Sequence, residues 1–310
     1  MATALITHAA CLEHDPGPYH PESPDRLRAV LHALDAPEFA PLVREQAPRA
    51  SKEQLARVHP ARIVDAILAI QPDEGDTVNI DADTAMSHGS AEAALRAAGA
   101  AVLGVDLVMR GAVANAFAAI RPPGHHAEPS RPMGFCLFNN AGVAAQHARA
   151  EHGLRRVAVL DFDVHHGNGT QALFAQNPEL FYGSSHQSPF YPGTGDAWEK
   201  GIANNIVNVP LLARDGSAAF RDAWAGTIIP ALKDFDPDLL IISAGFDAHR
   251  DDPLAQIRLE TDDFAWITDA LLAVASKHCS GRVVSVLEGG YDLEALAASA
   301  AVHVRGLMQA

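Results

Sequence analysis

A short segment in the middle of the 310-residue chain carries three groups that could hold a metal ion. Asp161, Asp163 and His165 occupy alternate positions directly after an apolar run that ends at Leu160. In an extended backbone, side chains two residues apart point to the same side, so these three would project together. Two crowded carboxylates repel each other and need a cation or a shared proton. The segment therefore predicts either a metal site or a carboxylate that caps the next helix beside an incidental histidine.

A third oxygen ligand is available at Asp247, which follows another apolar run, 239–243. One histidine and two aspartates leave room for water in the coordination shell, which is the arrangement of catalytic zinc. Iron or cobalt would accept the same donors. The three cysteines are scattered without a Cys-x-x-Cys pair, so neither a thiolate zinc site nor a disulfide framework is supported.

Paired histidines and one tyrosine could supply acid/base chemistry and charge stabilisation. His125 and His126 follow a Pro-Pro-Gly turn; such a pair is either solvated surface or a proton acceptor within reach of activated water. If the metal binds Asp163 and His165, Asp161 is left over and could orient the ring of one histidine of the pair. Tyr291, after two glycines, is either a core tyrosine or a phenol that shares the charge developing on a carbonyl oxygen.

The elements that must position these residues alternate between short apolar runs and longer amphipathic stretches. This alternation predicts an α/β fold with one doubly wound, mostly parallel sheet, helices on both faces, and a single domain over residues 1–310. The predicted strands are 4–8, 116–120, 157–162, 180–184, 239–243 and 283–287. The predicted helices are 24–34 behind a Ser23 cap, 60–70, 90–109, 141–151, 218–233, 262–277 and 293–308. Residues 184–208 are predicted to form a long functional or disordered loop.

The candidate residues follow four of the predicted strands. Ligands of open α/β sheets bind beyond the carboxyl ends of the strands, so we expect one site there. The formal charge of −15, from 23 basic and 38 acidic residues, argues against nucleic-acid binding. No apolar run reaches 18 residues and no signal peptide is recognisable, so we expect a cytoplasmic protein that does not enter a membrane.

Two other classes of function are alternatives to a metal-dependent enzyme. Gly167-x-Gly169-x-x-Ala172 follows a strand and opens a helix, which formally fits the dinucleotide fingerprint of an oxidoreductase. The carboxylates just before these glycines would repel a pyrophosphate, which makes this interpretation the weaker one. A non-catalytic protein that only binds a ligand or holds zinc would need no acid/base pair, yet His125, His126 and Tyr291 are all present.

Taken together and in order, these segments resemble the zinc-dependent histone deacetylase superfamily of the arginase/deacetylase fold, closest to class II and its bacterial amidohydrolase-like homologues. The resemblance covers nearly the whole chain. It rests on segments 20–26, 121–127, 134–140, 161–171, 191–195, 244–253 and 287–293.

The resemblance implies one catalytic Zn²⁺ and a monovalent cation, K⁺ or Na⁺. The zinc ligands would be Asp163, His165 and Asp247. The monovalent cation would lie below them, near Asp161 and Ser184, with Asp163 and His165 contributing partly through carbonyls.

The resemblance also implies roles in an amide hydrolysis that releases acetate and a free amine. His126 would be the main general base and acid, and His125 an electrostatic partner that Asp161 orients. Tyr291 would donate to the oxyanion. Arg26 matches a buried arginine below the active site.

Three further positions concern the substrate. Phe135 and Tyr191 would form the walls of an acyl-lysine channel, with the Gly134 carbonyl accepting the substrate amide N–H. Leu254 stands where polyamine-directed relatives can carry glutamate, which favours acetylated lysine in peptides or proteins over acetylated small amines. Other short acyl groups and an oligomeric state remain open.

Asn168 stands where class I members carry an acid, as in class II. One histidine of the pair therefore lacks a charged partner, which bears on its basicity.

Overall fold

The structure, a computed structural model, describes residues 2–310, so Met1 of the predicted domain lies outside the described residues. The strands are β1 (Thr3–Thr7), β2 (Val43–Gln46), β3 (Thr77–Asn79), β4 (Ala85–Ser87), β5 (Asn115–Ala118), β6 (Val157–Asp161), β7 (Leu180–Gln187), β8 (Ile206–Leu211), β9 (Leu239–Ala244) and β10 (Val283–Leu287). The α-helices are α1 (Pro24–Ala33), α2 (Lys52–Ala56), α3 (Ala61–Ala69), α4 (Ser90–Met109), α5 (Asn140–His152), α6 (Asn168–Phe174), α7 (Ser217–Ala223), α8 (Ile229–Phe235), α9 (Thr261–His278) and α10 (Leu293–Gln309). Short 3₁₀ turns lie at Ala9–Leu12 and Pro37–Phe39, and a π-helical turn at Trp224–Ile228 joins α7 to α8.

Eight strands form one parallel sheet in the order β2-β1-β5-β10-β9-β6-β7-β8, and β3 pairs with β4 in a separate antiparallel ribbon. Every residue of β6, β9 and β10 is buried. Strands covered on both faces read as continuous apolar runs, which is why they were recognisable in the sequence. The helices pack against the sheet and each other, α4 with α5 and α10 with α1 and α9. The predicted doubly wound parallel sheet is confirmed.

All six predicted strands and all seven predicted helical regions are present, with ends shifted by a few residues. Four strands were missed: the edge strands β2 and β8 of the large sheet, and β3 and β4 of the small ribbon. The loop predicted over 184–208 is wrong at both ends, because β7 continues to Gln187 and β8 begins at Ile206. The polar Asn208 and the proline at 210 disguise β8, and proline is tolerated there because the strand is at the sheet edge.

The predicted Ser23 cap is only half right. Ser23 occupies the N-cap position of α1 with an extended backbone, but its side chain makes no capping hydrogen bond. Pro24 at the first helical position provides the start signal instead, because its fixed φ suits a helix and its missing N–H is not needed there.

Within residues 2–310, no helix combines the length and the apolar character that crossing a bilayer requires.

Candidate metal centre

The candidate ligands meet at the carboxyl edge of the sheet, where β6 and β9 are neighbours. β6 ends at Asp161, so Asp163 and His165 lie in the turn that leads to α6. The expectation that extended backbone aligns all three side chains is therefore wrong. The turn itself gathers the ligands, since the backbone N–H of His165 donates to Asp163 Oδ1 at 2.8 Å. Asp161 directs its carboxylate to His125 instead.

Asp163, His165 and Asp247 form a compact group of three buried ligands. Each offers one ligand atom, and these atoms lie within 4.8 Å of one another. His165 Nδ1 is 3.1 Å from Asp163 Oδ1 and 3.1 Å from Asp247 Oδ2. The remaining oxygen of each carboxylate accepts a backbone N–H at 2.8 Å, from Gly289 to Asp163 and from Val164 to Asp247. One oxygen of each carboxylate is thus fixed and the other faces the centre, as a metal site requires.

The charges of the group also fit a cation. Burial, together with the charge of Asp163, raises the pKa of Asp247 to about 7. Burial lowers the pKa of His165, but hydrogen bonds to Asp163 and Asp247 outweigh it and raise that pKa to about 10. Two buried carboxylates therefore demand a positive charge between them, which an imidazolium or a divalent metal ion with a neutral imidazole can provide. The donor set fits zinc.

Two glycines allow this close packing of carboxylates. A Cβ at Gly245 would collide with Asp163 Oδ2, and a Cβ at Gly289 would collide with Asp247 Oδ2. Any side chain at either position would therefore displace a ligand.

His125 and His126 stack beside the ligands, with ring centroids 4.0 Å apart, but their environments differ. His125 Nδ1 lies 3.0 Å from Asp161 Oδ2, and Nε2 lies 3.8 Å from Asp163 Oδ1. Burial lowers the pKa of His125, but the charges of Asp163, Asp161 and Glu288 raise it by more than burial lowers it. The pKa of His125 therefore lies well above 6.5. Burial and the charges of His125 and His165 hold the pKa of His126 well below 6.5. The surroundings thus favour the charged form of His125 and the neutral form of His126.

The tautomer of His126 follows from its partner. Asn168 Nδ2 donates to Glu128 Oε1 at 2.8 Å, so the amide oxygen of Asn168 faces His126 Nδ1 at 2.8 Å. Because that oxygen only accepts, Nδ1 carries the hydrogen and Nε2 keeps a free lone pair. Glu128 was missed in the sequence, where nothing local distinguishes it from other loop acids.

Glu288, which directly follows β10, is a second residue to which sequence reasoning gave no role. Its Oε2 accepts the backbone N–H groups of Gly124 at 2.7 Å and His125 at 3.1 Å, and Ser243 donates to Oε1 at 3.1 Å. Burial raises the pKa of Glu288 to about 7, although the charge of His125 opposes the shift. Glu288 therefore positions the loop that carries both histidines, and its place directly after β10 was the available signal.

Tyr291 lies against the buried side chain of Arg26 near the ligand group. The Arg26 guanidinium carbon lies 4.8 Å from the centroid of the Tyr291 ring, and fully buried Arg26 donates to the carbonyls of Glu288 and Gly290 at 2.5 Å. Burial raises the pKa of Tyr291 well above 10; the charge of Arg26 opposes this shift, and the charges of Asp247 and Asp163 add to it. The phenol therefore retains its proton and remains a donor.

Aromatic rings surround the approach to the ligands. Phe135 contacts Tyr291 edge to face at 5.9 Å, whereas Tyr191, which is about one-third exposed, contacts His126 at 5.1 Å. Phe190 stacks on His165 at 5.3 Å and was missed, although it directly precedes Tyr191. Gly134 lies between these walls with φ of 58°, and a Cβ there would collide with the His126 ring.

Leu254 is half-buried in the loop after Asp252. Asp252 accepts the backbone N–H of Leu254 at 2.9 Å and that of Tyr291 at 2.7 Å. The loop that carries Leu254 is therefore tied to the tyrosine at the centre.

Ser184 aligns with Asp161 across the β6–β7 pair, and both residues are fully buried. The Ser184 hydroxyl lies 2.9 Å from His186 Nδ1. Asp161 Oδ2 accepts from Tyr182 at 2.9 Å in addition to its contact with His125.

The glycines of the dinucleotide-like motif serve a different purpose. A Cβ at Gly167 would collide with Asp161, and one at Gly169 would collide with the carbonyl of Ala127. These glycines therefore let α6 approach the loop that carries the histidine pair, and this packing accounts for both of them.

Comparisons with known proteins agree with this geometry. The family description "Histone deacetylase domain" matches residues 20–307. The chain is 39% identical to the "Histone deacetylase-like amidohydrolase" of Pseudomonas aeruginosa, covering 94% of this chain and 82% of that protein. It is 37% identical to the human "Polyamine deacetylase HDAC10", covering 99% of this chain and 48% of that protein. The crystal structure of the HDA15 HD domain superposes with a TM-score of 0.93 at 37% identity, covering 99% of this chain and 88% of that one.

The fold, the buried ligand group and these matches lead to one conclusion. The chain belongs to the histone deacetylase family and is a hydrolase that acts on amide bonds.

Proposed function

We propose that this protein is a single-domain, zinc-dependent deacetylase that removes acetyl or other short acyl groups from lysine side chains. The observation that carries the proposal is the pair His125 and His126, adjacent rings with opposite pKa shifts beside a three-ligand centre. Mere binding of an acylated lysine needs no such division between a cationic and a neutral imidazole. Acid/base catalysis does, because a base must be neutral when it accepts its proton.

Each residue of the site has its own proposed role in the reaction. Zinc held by Asp163, His165 and Asp247 would polarise the acyl carbonyl and activate water. His126 Nε2 takes a proton from the attacking water and later gives it to the departing amine. His125, held by Asp161, keeps its positive charge close to the oxygen that becomes negative.

Tyr291 donates its hydroxyl hydrogen to that same oxygen. Its strongly raised pKa supports this role, because an ionised phenolate could not donate. Phe135 and Tyr191 are proposed to line the channel for the lysine stem, with the Gly134 carbonyl accepting the substrate amide N–H. The aromatic contacts of both side chains with the catalytic residues support this arrangement.

We further propose that K⁺ or Na⁺ binds near Asp161 and Ser184, where their alignment and burial bring oxygen donors together. The cytoplasm is the proposed site of action, a proposal that the three free cysteines support.

Acetyl-lysine in peptides or proteins is the proposed substrate, and small acetylated amines are the second candidate. Leu254 in the loop tied to Tyr291 favours the first. The acidic charge of −15 would attract either cationic substrate, and the similarity to a named polyamine deacetylase keeps the second open.

The test measures acetate release from an acetyl-lysine peptide and from N-acetylputrescine. We expect faster turnover of the peptide by the wild-type protein, and loss of turnover in Asp247→Ala. Tyr291→Phe should lower kcat by about 10²- to 10³-fold, as loss of an oxyanion donor does.

Asp251→Ala and Tyr19→Phe are matched controls, since both side chains are exposed, and neither should change the rate. Undiminished turnover in Asp247→Ala would overturn the metal assignment. Preference for N-acetylputrescine would replace the proposed substrate with the second candidate.

A further inference from the structure

A second group of histidine and aspartate side chains lies on the helices, away from the centre described above. Asp106 near the end of α4 and His147 and His152 near the end of α5 form this group, which we call the helix cluster. α5 begins beside the catalytic loop, where Asn140 Nδ2 donates to the carbonyl of Pro122. At 1.5 Å per residue, the histidines lie about 10 and 18 Å farther along that helix. The helix cluster is therefore separate from the catalytic residues.

The ligand atoms of the helix cluster converge on one point. Asp106 Oδ1 lies 2.8 Å from His147 Nε2 and 2.7 Å from His152 Nε2, and the two rings meet at 72°. Tetrahedral zinc with bonds of 2.0–2.2 Å separates its ligand atoms by about 3.3 Å. Small side-chain rotations that open the two contacts by about half an ångström would create that geometry.

Burial and charge favour a cation at this point. His147 is almost fully buried, whereas the side chains of His152 and Asp106 are 22% and 35% exposed. Burial raises the pKa of Asp106, but hydrogen bonds from both histidines lower it more, so the carboxylate stays ionised. The cluster borders a hollow of about 550 Å³, through which an ion and its water ligands can enter.

Arg57 is the opposing charge. Its Nη1 lies 3.4 Å from His147 Nδ1, while its Nη2 contacts Glu151 Oε1 at 2.5 Å. A metal ion at His147 Nε2 would leave the hydrogen on Nδ1, facing the N–H of Arg57. Arg57 must then turn fully to Glu151, so this arginine weakens metal binding without preventing it.

We propose that the helix cluster binds a second divalent transition-metal ion of the zinc class and thereby ties α4 to α5. Two imidazoles and one carboxylate select such ions over Mg²⁺ or Ca²⁺, which prefer oxygen ligands alone. The site is structural, because the ion holds the ends of two helices together at a distance from the groups that act on the amide.

The test is calorimetric titration of ZnCl₂ into protein that already holds one equivalent of zinc. Wild type should bind one further equivalent with a Kd in the micromolar range. His152→Gln and Asp106→Asn should each weaken that second event by more than about 100-fold, since even partners of metal ligands are worth 10- to 100-fold. Acetate release should be unchanged in both variants.

His278→Gln is the matched control, because His278 also ends a helix and contacts an aspartate, Asp236, at 3.0 Å, but has no second histidine. It should retain the second equivalent. Arg57→Gln should bind it several-fold more tightly, and weaker binding would contradict coordination through His147 Nε2. A wild-type protein that binds no second equivalent, or variants that all retain it, would overturn the proposal and leave the cluster as a hydrogen-bonded contact between helices.

Discussion

The catalytic centre and the helix cluster use the same kinds of side chain in different settings. At the centre, Asp163 and Asp247 are fully buried, and each has one oxygen that accepts a backbone N–H and turns away from the proposed metal position. In the helix cluster, a single oxygen of partly exposed Asp106 bridges two histidines, and among residues 2–310 no backbone N–H donates to it. Ends of parallel strands bring backbone donors and side chains to one point, whereas helix flanks bring side chains alone.

This difference separates the proposed site of chemistry from the proposed structural site. Buried ligands held by backbone N–H groups would keep a defined geometry while charge develops on a substrate. Ligands on helix surfaces can take up an ion only after rotating, and water is at hand to complete its shell. We therefore expect the two sites to respond very differently to the same substitution.

The largest expected difference between the two sites is in kcat/KM, when one carboxylate charge is removed from either of them. Asp247→Asn should reduce kcat/KM for acetyl-lysine peptide by about 10⁴-fold, because metal ions contribute several kcal/mol at the transition state and each 1.36 kcal/mol is tenfold. Asp106→Asn should leave kcat/KM unchanged. Similar losses in the two variants would erase the distinction between the sites.

The histidine pair should give the next largest effect. His126→Gln removes the neutral base and should lower kcat by about 10³-fold, within the range of general acid/base catalysis. His125→Gln removes only a charge beside the reaction and should cost less, about tenfold. A larger loss in His125→Gln than in His126→Gln would mean that the two histidines have exchanged roles. Single-turnover kinetics would show whether each loss lies in the chemical step or in product release.

A pH profile tests why the base is neutral. As the proposed base, His126 must be unprotonated to accept a proton, and its pKa is low because burial and two neighbouring histidines disfavour its charge. Asn168→Asp places a negative charge at the position of the amide oxygen, 2.8 Å from His126 Nδ1, and should raise that pKa. The pH at which kcat/KM falls on acidification should therefore move upward.

Asn204→Asp, at an exposed loop position, is the control and should leave the profile unchanged. An acidic limb that stays in place in Asn168→Asp would show that His126 is not the base.

The smallest expected effect is that of Asp106→Asn on the free energy of unfolding of the metal-free protein. Asp106→Asn should lower the free energy of unfolding by about 1 kcal/mol, the net value of a typical hydrogen bond, because partial exposure weakens charge effects. Thermal melting of metal-free protein would measure this as a change of a few degrees against exposed Asp73→Asn. A loss several times larger would show that the cluster already holds the helices without an ion.

Sequence reasoning recovered the sheet because its central strands are buried on both faces and read as continuous apolar runs. It missed β8, where a proline and an asparagine interrupt the apolar run, and β2, whose four residues are mostly exposed. It anticipated the ligand group for a partly wrong reason, since a turn and not an extended strand brings Asp163 and His165 together.

The residues that sequence reasoning could not assign act across long distances in the chain. Glu128 orients Asn168, forty residues later, and Glu288 holds the loop of His125 from the end of another strand. The helix cluster joins Asp106 to histidines more than forty residues away. No local pattern records such pairings, because only the packing of α4 on α5 and of neighbouring strands creates them.

The most direct measurement titrates metal-free protein with Zn²⁺ while acetate release and Tm are followed together. We predict that the rate rises to its plateau with the first equivalent, because the buried ligands are already arranged, and that the second equivalent raises Tm without changing the rate. Full acetate release by metal-free protein, or activity that appears only with the second equivalent, would contradict the assignment of the catalytic centre.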